Sequence, residues 1–389
     1  MPRYFAAILT TMLGLGLVTT ACSSTSSSAT SAPSTAPASS ARPSAAAAVS
    51  FLGQLRAGSQ IASTVPANGD VNPYGVAAVP TSAGKLTAGS ILVSNYNDKA
   101  NVQGTGTTIV QVSPAGRTTL FADVAKLPAR MACPGGIGLT TALGILPGGW
   151  VVVGSLPTTK SGALPGLDPA GCLIVLNDQG TPVETITSKN IVGPWDLAVT
   201  STATSAQVFV SNALGGNTST STGTPVTGNC TVVRLDLALS ATSAPMLTST
   251  TVIGSGYPWR ANKAALVLAP TGLALGHNGT LYVADTQTNT ISVIPQATTR
   301  TSAQAATAGL LSAGGALDAP LGMTLAPSGD LIVVNGNNGN AVEITAAGHQ
   351  LTTRTLVKNG AGDLFGIITM PNGIIAVNDG TNALEMFRS

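Results

Sequence analysis

The 389 residues hold 17 Lys and Arg against 15 Asp and Glu, a formal charge of +2, and only 8% of them are charged. So sparse a set of cations excludes the clustered Lys and Arg that a phosphate backbone requires, and nucleic acid is not expected as a partner. With 45 Gly and 24 Pro the chain is rich in turns, which favours β structure over helix.

The first element is a targeting segment over residues 1–22. Arg3 is its positive end, and Phe5 to Val18 form an apolar run broken by Thr10, Thr11 and two glycines. That run is too short to span a bilayer, which takes about 20 apolar residues. It ends in Val18-Thr19-Thr20-Ala21-Cys22, which resembles the lipobox of bacterial lipoproteins, with Thr19 where that family most often has Leu. The resemblance implies acylation of Cys22, cleavage before it, and a lipid-anchored, extracytoplasmic protein of the cell envelope. Ser23 rather than Asp after the cysteine implies the outer membrane in a cell with two. More than one acyl chain gives stable anchoring. Residues 23–57 begin with a long stretch of Ser, Thr, Ala and Pro whose only charge up to Ala48 is Arg42, a composition that reads as a disordered tether.

Residues 58–389 are expected to form one all-β domain built from six copies of a pattern. The clearest runs from Pro270 through Gly272, the turn His277-Asn278-Gly279 and Leu281-Tyr-Val-Ala-Asp285 to Ile291-Ser-Val-Ile294. Similar copies start at Pro320 and near Leu364, and looser ones at Pro73, Pro134 and Pro194. Each reads as strand, tight turn, strand, polar loop, strand, and usually a fourth Thr-rich strand. A period of roughly 40–75 residues with that content predicts a six-bladed β-propeller. The last copy runs out after its third strand, so a segment near Gln60 to Val65 is expected to supply its outer strand and close the ring. The runs Leu281 to Asp285 and Pro270-x-Gly-Leu-Ala are similar to NHL-type and YVTN-type repeats. That resemblance implies the same six blades, in a family that includes ligand sensors, lyases and protein-binding modules. Fold does not name the function.

In such a blade the loop entering the inner strand and the loop between strands two and three share a face. Here those loops are long, at Asn95–Thr107, Ser155–Gly171 and Asn212–Asn229, and long loops on a rigid scaffold carry binding. The column opening the inner strands on that face reads Tyr74, Gly135, Trp195, Thr271, Leu321 and Phe365. Its three aromatics either stack on a ligand or plug the channel. Asp196, beside Trp195, stands where other copies have Gly. Tyr257, Trp259, Arg260 and Lys263, with Arg130 on the same face, can hold an anionic or carbohydrate ligand, or form a solvated loop with Trp259 beneath it. The column Asn95, Ser155, Asn212, Asp285, Asn335 and Asn378 reads as turn-forming side chains.

The chemistry-bearing residues are few. Two histidines, His277 and His349, both fall in hairpin turns and cannot form a three-His metal site. Lactonase propellers hold calcium in the channel through a Glu with Asn and Asp, whereas Glu184, Glu343 and Glu385 fall on outer strands. Asp196, Asp318 and Asp363 with part of the Asn column leave calcium open. No Ser-His-Asp grouping and no phosphate loop is evident. Three cysteines remain beyond Cys22, and Cys133–Cys172 is the favoured bridge with Cys172–Cys230 as the alternative. The expected function is binding of a small molecule, glycan or protein. The alternatives are a calcium-dependent hydrolase or lyase of the lactonase-like type and a structural role in an envelope assembly.

Overall fold

The computed structural model describes residues 50–166, 169–215 and 226–389. The leader, Cys22 and the tether through residue 49 lie outside these, as does the centre of the Asn212–Asn229 loop.

Six sheets stand around a common axis, antiparallel except where the short strand Gln304–Ala305 pairs in parallel with the outer strand of blade three. Their innermost strands are Val71–Ala78, Leu143–Leu146, Pro194–Ser201, Pro270–Leu275, Pro320–Leu325 and Leu364–Met370. Each touches the inner strands on either side, and the first meets the last, so the ring is closed. Blade six takes three strands from the end of the chain and its outer strand, Ser59–Ser63, from the beginning, with Ser59 opposite Met386 and Ser63 opposite Ala383. Closure thus rests on pairing between the two ends of the domain, which covers the edge of the strand Ala383–Arg388.

The core lies between blades, where the inward sides of facing strands interdigitate. Val93, Val110, Val377 and Leu384 join blades one and six, and Val152, Val175, Val208 and Val233 join blades two and three. Glycine sets how closely inner strands approach. A Cβ on Gly272 would meet the carbonyl of Leu321, one on Gly322 that of Phe365, and one on Gly366 that of Tyr74. The repeat's glycine is therefore a packing requirement.

Two expectations need correction. The inner strand of blade two does not start at Pro134: Gly136 (φ 77°) closes a tight turn on Cys133, and the strand begins at Leu143. The carbonyl of Thr141 faces Gly75, so Thr141, not Gly135, belongs to the column. The second difference concerns residues 50–57, read as part of the tether. Phe51–Gln54 form one helical turn on blade five, with Leu52 and Leu55 buried. Glu343, fully buried on the third strand of that blade, accepts hydrogen bonds from Ser50 Oγ and from the amides of Phe51 and Leu52.

Candidate functional site

The aromatic column closes the channel. Tyr74 is stacked on Phe365 with ring centroids 5.3 Å apart, and Trp195 meets Tyr74 edge-on at 5.6 Å. The Trp195 indole N–H donates to the Tyr74 hydroxyl at 2.7 Å. Tyr96, which the repeat pattern does not single out, packs edge-on against both Tyr74 and Phe365. Tyr74 is 2% and Trp195 5% exposed, so the two rings fill the mouth of the channel. Burial, and then the nearby Asp196 charge, push the Tyr74 hydroxyl well above its ordinary pKa.

The described parts of the Asn95–Thr107 and Ser155–Gly171 loops meet over this plug, where Thr158 donates to the Gly104 carbonyl and Leu164 packs against the cluster that holds Tyr74 and Trp195. Gln103 of the Asn95–Thr107 loop donates to the carbonyl of Ala264, across the face. Cys133 and Cys172 are joined by a disulfide, and Gly135 N–H donates to the Ala170 carbonyl, which ties down the end of the Ser155–Gly171 loop. Cys230 is a buried free thiol. Tyr257 and Trp259 are core residues, 1% and 0% exposed, on a 17-residue outer strand of blade three, Met246–Asn262. Tyr257 shares a hydrogen bond with Ser292. Arg260 is half-buried, while Lys263 and Arg130 are exposed. The turn carrying Arg130 is pinned to the outer strand of blade two through Thr185 and the Met131 carbonyl, so these cations do not converge with the aromatics. The second-strand column is buried and structural, as Asn212 shows by accepting from Val192 and Gly193 and donating to Asn190.

Beneath the plug the channel is a well of about 450 Å³. Its walls are the inner strands, with Val76, Leu143, Val199, Leu275, Met323 and Ile368 among the lining residues, and His277 stands at its far end. Exposure rises down five of the six inner strands, as in blade three from buried Leu197 to exposed Thr200. The well therefore opens on the short-turn face, opposite the long loops.

One carboxylate lines it, that of Asp196. Its oxygens accept from its own neighbour Leu197 (2.8 Å) and, across the blade boundary, from Leu273 (2.9 Å). The group is enclosed by protein, yet part of its surface faces the hollow. Burial pushes its pKa up to about 6, against the pull of those two amides. Asp318 is engaged by Asn337 and Asn338. Among the described residues, no three His, Cys, Asp or Glu side chains are grouped as a metal site. Calcium takes six to eight oxygen ligands, and the well offers one carboxylate toward them.

No protein-family model matches this chain, and no curated protein sequence does. Solved propellers resemble it in fold. A gluconolactonase from Xanthomonas campestris aligns over 87% of this chain and 90% of its own, with 12% identity and a TM-score of 0.53. A Thermus protein described as an oxidoreductase of the glucose dehydrogenase kind aligns over 86% and 99%, with 12% identity and a TM-score of 0.51. A streptogramin B lyase aligns over 87% and 99%, with 13% identity and a TM-score of 0.47. At these identities the first two establish the six-bladed architecture and leave the chemistry to the residues of this chain.

Proposed function

We propose that this chain is a lipid-anchored, extracytoplasmic propeller of NHL-like repeats that binds a small ligand in its central well. The observation that carries the reading is the well itself: a recess of about 450 Å³ whose side chains are mostly apolar, with backbone polar atoms between them and one inward carboxylate. Concave, mostly apolar sites with a few placed polar groups are where small molecules bind. The plug of Tyr74, Trp195 and Phe365 supports moving the site from the long-loop face to the short-turn face. Cys22 in its lipobox-like setting supports the anchor, and the Cys133–Cys172 bridge suits an oxidising compartment. Ala198→Trp, which fills the well from its wall, is expected to abolish binding of 4-phenylbutan-1-ol in titration calorimetry. Equal binding by the variant would remove the well from consideration. Fatty-acid labelling in the producing cell is expected to be lost in Cys22→Ala.

A second reading is catalysis in the same well, in the manner of a lactone hydrolase. The fold shared with a gluconolactonase supports it, and so does Asp196, whose pKa of about 6 suits a general base. The apolar side chains of the walls suit an alkyl or aryl lactone, and the backbone polar atoms between them suit a sugar lactone. A pH-stat assay on both kinds of lactone, with and without added calcium, separates the readings. Turnover that disappears in Asp196→Asn would make the protein an enzyme, and no turnover leaves binding.

A further inference from the structure

We infer that the well takes an organic cation, a protonated amine carried on an apolar hydrocarbon body. The inference rests on the well being the ligand site and names the class of ligand.

Asp196 breaks the rule that spaces the blades. At the matching position four blades have glycine (Gly75, Gly272, Gly322 and Gly366), because a side chain there would strike the next blade's backbone. Blade three instead carries a carboxylate, and the blade boundary is spanned by its Oδ2 accepting the Leu273 amide. Departures from a local rule are expected at functional positions.

This carboxylate also lacks a countercharge. No Lys or Arg lines the well, and its other ionisable side chains are the Tyr74 hydroxyl, already taken up by Trp195, and His277 at the far end. A carboxylate enclosed among mostly apolar side chains is costly unless paired. Each oxygen accepts one protein N–H, which leaves acceptor capacity toward the hollow. An ammonium group there removes the electrostatic cost, whereas an anion is repelled and a neutral group leaves the charge uncompensated. The four residues from Leu197 to Thr200 separate Asp196 from the open end, about 13 Å at 3.3 Å per strand residue. An apolar body of that length lies along Val199, Leu275 and Leu325 while its charged end meets Asp196.

The test uses the full chain in detergent at pH 8, with 4-phenylbutylammonium, 4-phenylbutan-1-ol and 4-phenylbutyrate compared by titration calorimetry. The ammonium is expected to bind at least tenfold more tightly than the alcohol, and the carboxylate not at all. In Asp196→Asn the two affinities should come within twofold, and retained alcohol binding reports that the well is intact. Equal affinities in the unaltered protein overturn the cation while leaving the well as the ligand site. Failure of all three ligands overturns both. A preference that persists in Asp196→Asn, or in Ala198→Trp, places the cation elsewhere and overturns the inference. If Asp196→Asn does not fold, the unaltered protein and Ala198→Trp decide.

Discussion

The Trp195 indole N–H donates to the Tyr74 hydroxyl at 2.7 Å, a bond that joins blade three to blade one across the axis. It makes the channel mouth a fixed wall. Tyr74→Phe deletes the acceptor and leaves a buried N–H unsatisfied, at a cost of about 1–3 kcal/mol. The expected result is a lower melting temperature with a shifted tryptophan emission. Trp195→Ala removes the ring altogether and should cost about 3–5 kcal/mol through the cavity it leaves. A Tyr74→Phe variant as stable as the parent would show that the bond does not hold the mouth.

Gly366 lies against the Tyr74 carbonyl where blade six meets blade one, so Gly366→Ala forces backbone apart at the seam of the ring. The strain is expected to cost more than the few tenths of a kcal/mol that surface changes cause, and so to lower the melting temperature. Protection of the Ser59–Ser63 amides from hydrogen exchange should fall with it, because that strand completes blade six. Unchanged protection would mean that the seam tolerates a Cβ by shifting elsewhere.

Six blades and the closing strand were legible because turn glycines and short apolar runs recur wherever an inner strand begins, and a copy short of one strand must borrow it. Blade two misled because Cys133-Pro134-Gly135-Gly136 imitates the opening of a repeat. The true strand carries Ala142 where four other blades have glycine, and no local signal marks that. The fate of the aromatics was not legible either. Tyr74 and Phe365 are nearly 300 residues apart in the chain and become stacked only through ring closure, which also brings in Tyr96 from a second strand. Long loops pointed to one face as the binding face. The packing of the described parts of Asn95–Thr107 and Ser155–Gly171 over the plug is a tertiary fact, and it moved attention to the opposite end of the axis.

The Cys133–Cys172 bridge spans a sequence separation of 39. Chain-entropy reasoning for a loop of that size gives roughly 4 kcal/mol of stabilisation. Reduction, or Cys133→Ser with Cys172→Ser, should lower the melting temperature and expose the Ser155–Gly171 loop to proteolysis before the rest of the domain. Simultaneous digestion of all six blades would instead make the bridge a global determinant of folding.

Asp285 ends the second strand of blade four, 2% exposed, and accepts the amides of Gln287 and Thr288. Burial nonetheless dominates and pushes its carboxyl up to about 6. In the unfolded chain an aspartate titrates near 4. The folded protein therefore binds this proton more tightly, and between the two values unfolding releases it. The resulting stabilisation is fully present below about pH 4 and is lost as the pH rises through about 6, a swing on the order of 2 kcal/mol. Asp196 behaves in the same sense, so removing one group leaves half of the effect in place. Asp285→Asn keeps an acceptor for the turn amides but does not titrate. Its melting temperature relative to the parent should thus rise by a few degrees between pH 4.5 and pH 7, on the order of 3 °C. A difference that stays flat across that window would show that Asp285 ionises in the fold as readily as in the open chain.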